Sequence, residues 1–144
     1  MTLTMTVAER EAFLAGLHVG ILSVGDPGRG PLSVPVWYAY EPGGVLNVVT
    51  GGQSMKARLL RAAGRFSLCV QTESSPYRYV SVEGPITAVD ETVSADERRA
   101  LAQRYLGIEG GDLYIAATAE QTADAVAFRM TPEHWRTSDY GKVS

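Results

Sequence analysis

The chain has 144 residues, 45% of them hydrophobic and 20% charged, with a formal net charge of −3. That length and composition fit one domain over residues 1–144 with a core of its own, needing neither disulfides nor a structural metal, and the acidic balance argues against a nucleic-acid module built on phosphate neutralisation. No apolar run approaches the roughly 20 residues that cross a bilayer, and the start Met1-Thr-Leu-Thr-Met-Thr6 lacks the basic and apolar stretches of a signal peptide, so no membrane association and a cytoplasmic location are expected.

Thr6-Val-Ala-Glu9 has the spacing of a capping box, in which the Thr hydroxyl and the Glu carboxylate satisfy free amides at a helix start. The helix it opens is predicted over 6–16, with Phe13, Leu14 and Leu17 as its apolar face. Residues 19–24 read as a buried strand, and the turn-rich segment 25–30 leads into a second strand over 32–40, the two forming a hairpin. The turn signal Glu41-Pro-Gly-Gly44 precedes a β-branched strand over 45–50, which extends the hairpin to an antiparallel meander. The period then changes. Met55, Leu59 and Leu60 fall at helical spacing between Ser54 as N-cap and Gly64 as stop.

Strands follow over 65–72 and 77–90. Ser94-Ala-Asp-Glu97 is a second capping box, opening a helix to about Leu106 that buries Leu101 and Tyr105. The glycines between Gly107 and Gly111 end it, a short helix is predicted over 112–124, and the last strand spans 125–130, leaving 131–136 as a tail. About six hairpin-linked strands in so short a chain hide their edges best by closing on themselves. The expected architecture is therefore α+β, mainly β: a small antiparallel barrel with short flanking helices, an open sheet covered on one face being the alternative.

The segment richest in chemistry is Thr50-Gly-Gly-Gln-Ser-Met-Lys-Ala-Arg58, a strand that runs through two glycines into a helix N-terminus. Free amides and the helix dipole favour an anion there, with Ser54 offering a hydroxyl and Lys56 and Arg58 offering charge. An ordinary surface helix with basic residues has the same composition. In Leu32-Ser-Val-Pro-Val-Trp-Tyr-Ala-Tyr40 a proline inside a strand marks an edge, a bulge or a ligand wall, and three aromatic rings close together suit either a core or a planar ligand. His18 and His134 lie far apart with no third ligand at metal spacing, so no metal site is expected. Cys69, alone in an apolar run, reads as a structural thiol, and Asp96-Glu-Arg-Arg99 as a solvated charge run. The GxSxG, HExxH, Walker A and GxGxxG patterns are missing, and with them the hydrolase, metalloprotease and nucleotide-hydrolysing readings they would carry.

Taken in order, Leu32-Ser-Val-Pro-Val-Trp-Tyr38, Gln53-Ser-Met-Lys-Ala-Arg58 with Phe66-Ser-Leu68, Tyr79-Val-Ser-Val-Glu-Gly84 and Arg129-Met-Thr-Pro-Glu-His-Trp135 resemble the pyridoxamine 5′-phosphate oxidase-like split-barrel superfamily over nearly the whole chain. Within it the chain is similar to the short actinobacterial oxidoreductases that bind FMN or coenzyme F420. The resemblance implies a six-stranded split β-barrel, a homodimer with cofactor sites at the subunit interface, and a hydride transfer from FMN or F420 to a small substrate.

It further implies that Val34, Pro35, Val36 and Trp37 wall the ring and that Thr50, Ser54 and Lys56 serve the phosphate. Many relatives have arginine at Met55, which leaves Arg58 or Arg61 on the same helix to supply that charge. Tyr77 and Arg78 are the expected substrate-pocket residues, and Trp135 is expected at the dimer interface, with Trp37 and Tyr40 exposed enough to demand a partner. The arginine-rich C-terminal signature of pyridoxamine-phosphate oxidation itself is not found. A non-catalytic flavin- or F420-sequestering protein is the alternative, and a haem-binding split barrel a third, disfavoured because neither histidine sits in a haem-ligand motif.

Overall fold

A computed structural model describes residues 2–143. Helix α1 (Val7–Ala15) opens with the capping box intact: the Thr6 hydroxyl accepts from the Glu9 amide, and the Glu9 carboxylate accepts from the Thr6 amide at 2.7 Å. Strands β1 (Gly20–Val24) and β2 (Leu32–Val36) form the expected hairpin, with Ile21 opposite Pro35. The stretch expected as one strand over 32–40 is broken at Trp37 and Tyr38, and resumes as the two-residue β3 (Ala39–Tyr40). β3 pairs with β4 (Leu46–Gly51), which leads into helix α2 (Met55–Ala63).

After α2 come β5 (Arg65–Gln71) and the long β6 (Arg78–Asp90). Helix α3 (Ala95–Ala117) carries a kink at Gly107, where φ is 80°, and β7 (Ala125–Met130) follows. The two α-helical stretches expected after residue 94 thus adjoin at that kink, the second beginning earlier than its sequence suggested. Part of the expected tail over 131–136 instead belongs to a further strand, β8 (His134–Asp139), which pairs with β6 from Glu83 to Arg78. Ladder pairing decides this: the period-2 signal of His134-Trp-Arg-Thr-Ser-Asp139 is too polar to announce a strand on its own.

The strands run in the order β2-β1-β5-β6-β7-β4-β3, with β8 on β6. The two ends of that order, β2 and β3, are separated along the chain only by Trp37 and Tyr38, so the curled sheet is closed by its own backbone. This is the expected α+β, mainly β, antiparallel architecture, with eight strand segments among the described residues in place of six, because the 32–40 stretch is broken in two and 134–139 adds a strand. β6 is the splitting element: Tyr79 to Pro85 pairs with β5, and Ile86 to Asp90 pairs with β7, with a register irregularity between Ile86 and Ala88.

Inward residues fill the barrel, among them Leu22, Tyr38, Leu46, Val48, Leu68 and Phe128, all fully buried. Tyr38 places its hydroxyl 2.6 Å from the Leu14 carbonyl, to which it donates, and burial pushes that phenol's pKa well up. Tyr40, expected to be exposed, is only 5% accessible because it packs edge-on against Trp135, 6.3 Å between ring centroids.

Arg129 in β7 fixes α3 onto the sheet. Its guanidinium donates to both Glu97 oxygens at 3.0 Å, to Asn47 Oδ1 at 2.7 Å and to Asp90 at 3.3 Å. Glu97 is thereby drawn away from the reciprocal half of its capping box, and of the two capping bonds only the one from the Glu97 amide to the Ser94 hydroxyl oxygen forms. Among the described residues no helix is long and apolar enough to cross a membrane.

Candidate functional site

Three local events meet on one side of the barrel: the break after β2, the glycine junction between β4 and α2, and the passage of α3 across them. Together they bound a cleft of about 460 Å³. Pro35, Val36 and Trp37 form one wall, Thr50 and Lys56 come from the junction, and α3 with the turn after it supplies Arg98, Leu101, Tyr114 and Thr122.

The junction is tied to that turn. The Gly52 amide donates to the Asp124 carbonyl at 3.1 Å, and the Gln53 amide to the Asp124 carboxylate at 3.2 Å. A Cβ on Gly52 would lie 2.8 Å from the Asp124 carbonyl oxygen, so only glycine allows this approach.

The electrostatics of the cleft are one-sided. Among the described residues its lining holds two cations, Lys56 and Arg98, and no carboxylate, imidazole or thiol. Lys56 is half-buried and, among the described residues, has no ion-pair partner; burial alone pulls its pKa below the ordinary lysine value. Arg98 donates to the Thr122 hydroxyl at 3.0 Å and likewise has no carboxylate partner among the described residues.

At the start of α2 the Ser54 hydroxyl accepts from the Ala57 amide at 3.0 Å and donates to the Gly51 carbonyl at 2.8 Å, so its proton is engaged within the chain. Of the expected phosphate groups, Arg58 opens with Ser54 onto a neighbouring groove, and Arg61 is bound bidentately by Glu91. The Met55 side chain is exposed and outside the cleft.

Trp37 is held from behind. Its ring stacks on Tyr105 of α3 at 5.0 Å with the planes 6° apart, and Tyr114 tilts against it at 5.2 Å. The Tyr105 hydroxyl accepts from the Tyr38 amide at 3.1 Å and lies 2.7 Å from the His18 carbonyl, to which it donates. One phenol thus joins α3 to the strand break that forms the cleft wall. Removing it in Tyr105→Phe leaves the Tyr38 amide and the His18 carbonyl without that partner, and a loss of about 1–3 kcal/mol in a urea melt is expected, with Trp37 fluorescence changing in the folded protein.

The remaining expected residues lie elsewhere. Val34 packs against the barrel core. Tyr77 is exposed, and Arg78 borders a separate depression of about 400 Å³ with Phe13, His18 and Asp139; within one chain neither joins the cleft, where Tyr114 is the aromatic residue beside Trp37. Trp135 is half-buried under the Arg10 guanidinium, 4.5 Å from its ring centroid.

His18 lies 2.9 Å from the Phe13 carbonyl, and burial, with Arg104 and Arg78 nearby, lowers its pKa. Cys69 is half-buried, and burial raises its thiol pKa. No three metal-binding side chains gather among the described residues.

Sequence reasoning missed Arg98, Tyr114 and Thr122. The charge run that contains Arg98 is not uniformly solvated: Arg98 lies three and four residues before Leu101 and Ala102, on the face that α3 turns to the cleft. That spacing was the available signal.

The family described as pyridoxamine 5′-phosphate oxidase matches residues 6–139. Among solved structures the chain is similar to an F420 reductase (TM-score 0.70, 22% identity, 88% of this chain and 94% of that one). It is also similar to a conserved hypothetical protein from Mycobacterium tuberculosis (TM-score 0.74, 23% identity, 96% and 87%). A third is an FAD-binding protein from Mesorhizobium loti (TM-score 0.61, 22% identity, 92% and 94%). None of the curated proteins matches the chain at a significant level.

Proposed function

Because this chain belongs to the pyridoxamine 5′-phosphate oxidase family, we propose that its cleft holds F420 or FMN and that the protein is an oxidoreductase acting on a small molecule. The observation that carries this reading is the half-buried Lys56, a cation with no ion-pair partner among the described residues, at a helix start beside an apolar, aromatic wall. A cation there is unfavourable for the helix dipole, and a bound phosphate offsets both penalties. The group fits the donor set: Pro35, Val36 and Trp37 offer a surface for a flat ring, and Lys56 with the free amides of α2 offers a phosphate site. When bound, the cofactor supplies the hydride chemistry. The chain's own part is to seat the ring, to exclude water with Trp37 and Tyr114, and to neutralise the anionic end.

That none of the described residues lining the cleft is a carboxylate, imidazole or thiol supports the second reading, a protein that holds the cofactor without turning it over. The protein as a homodimer is part of the same proposal. In its support, the outer face of β1, β5 and β6 exposes Ile21 and Tyr79 around half-buried Ser67, Cys69 and Ser81.

The absorption spectrum of the protein after incubation with each cofactor and gel filtration tests the reading. Co-elution of a violet F420 band, or of the near-ultraviolet and blue flavin pair, supports it. Protein that elutes colourless from both incubations contradicts it.

A further inference from the structure

We propose that Arg98 is a direct ligand of the phosphoryl group of the bound molecule, so that the anion is gripped between α2 and α3. This rests on the cofactor reading above and assigns a contact to a helix outside the glycine junction. Three observations carry it. Arg98 and Lys56 line the same cleft, and neither has a carboxylate within ion-pair distance among the described residues. Arg98 is aimed there by two anchors: Glu97, its neighbour on the first turn of α3, is clamped by Arg129, and the Arg98 guanidinium is steadied by the Thr122 hydroxyl.

The other basic residues near the α2 start are spoken for or turned away, Arg61 by its bidentate pair with Glu91 and Arg58 by its place on the neighbouring groove. A guanidinium presents several N–H donors, so the bond to Thr122 leaves others to pair with phosphate oxygens. Lys56 then acts as a point charge on the opposite side of the same group. Either source of the phosphoryl group, the monoester of FMN or the diester of F420, satisfies this chemistry.

The test compares each cofactor with its phosphate-free counterpart: FMN with riboflavin, and F420 with the bare deazariboflavin. Affinities are read by fluorescence anisotropy for the wild type, Arg98→Ala and Arg98→Lys. For whichever pair the wild type binds, Arg98→Ala should lose about tenfold or more in affinity for the phosphorylated member and keep its affinity for the phosphate-free one. Arg98→Lys should recover part of the loss, since charge returns without the planar fork.

Thermal melting of each variant without ligand reports folding, and Arg98→Lys keeps the comparison informative if the alanine variant melts early. An unchanged preference for the phosphorylated member in either folded variant, or an equal loss for both members, overturns the assignment while leaving the cofactor reading intact. Wild-type protein that binds none of the four molecules overturns the cofactor reading, and the assignment with it.

Discussion

Gly84→Ala should be among the most damaging single changes in this protein. Gly84 is buried in β6 opposite Phe66, one residue before the strand passes from its β5 partner towards β7. A Cβ at this position would stand 1.9 Å from the Thr131 carbonyl oxygen, 2.9 Å from its carbon and 3.2 Å from the Glu133 amide nitrogen. All three are backbone atoms, so no flexible side chain can swing aside.

Relief requires moving β6 away from the link between β7 and β8, where the Glu133 amide donates to the Glu83 carbonyl at 2.9 Å and the Thr131 amide to the Pro85 carbonyl at 3.0 Å. Overpacking typically costs about 1–3 kcal/mol and more where the backbone itself must shift, so a loss of about 3 kcal/mol or more is expected. In a chain of this size that lowers the melting temperature by roughly 10 °C. A circular-dichroism melt within a degree or two of the wild type would show that β6 has room there after all.

Lys56→Ala should move ligand affinity and the stability of the ligand-free protein in different directions. Losing a charge-assisted contact to phosphate costs about 1.5–3 kcal/mol, so affinity for FMN or F420 should fall by roughly tenfold to a hundredfold or more. The ligand-free fold should not suffer. Burial holds the Lys56 pKa below its ordinary 10.5, which means the folded state disfavours the charged form.

The unfolded chain therefore binds more protons between the folded and unfolded pKa values, and that share of the stability rises as pH climbs through the interval. Denaturant melts should show the alanine variant at least as stable as the wild type at neutral pH, with the difference closing towards pH 10.5. A variant that unfolds more easily at neutral pH would make Lys56 a structural residue.

Much of the fold was readable because local chemistry and tertiary structure agree. Thr6 and Glu9 cap α1 through a short-range pattern, and Phe66, Leu68 and Val70 alternate inward along β5 as period two requires. β8 escaped because its stability comes from pairing with β6, a partner some fifty residues away. The break at Trp37 and Tyr38 escaped for a related reason: Tyr105, distant in sequence, is what bonds there.

The junction residues of the candidate site, Thr50 and Lys56, were visible as a strand-glycine-helix pattern, and Pro35 to Trp37 as an interrupted strand. Arg98 was not, because a charged residue on a helix looks solvated until the surface opposite it is known, and neither was Thr122, which lies in the turn after α3. The Ser54 hydroxyl shows the converse. As an N-cap it was correctly read, its oxygen accepting from the Ala57 amide, but its proton goes to the Gly51 carbonyl rather than to a ligand.

Binding of a flavin-type cofactor in this cleft through its phosphate is open to equilibrium titration of the wild-type protein with F420 and with FMN. With cofactor fluorescence anisotropy as the signal, saturable binding of at least one of them is predicted, at one molecule per chain, weakened by Lys56→Ala and by added inorganic phosphate. Anisotropy that stays at the free-cofactor value for both, with well-folded protein in large excess, would contradict cofactor binding in this cleft.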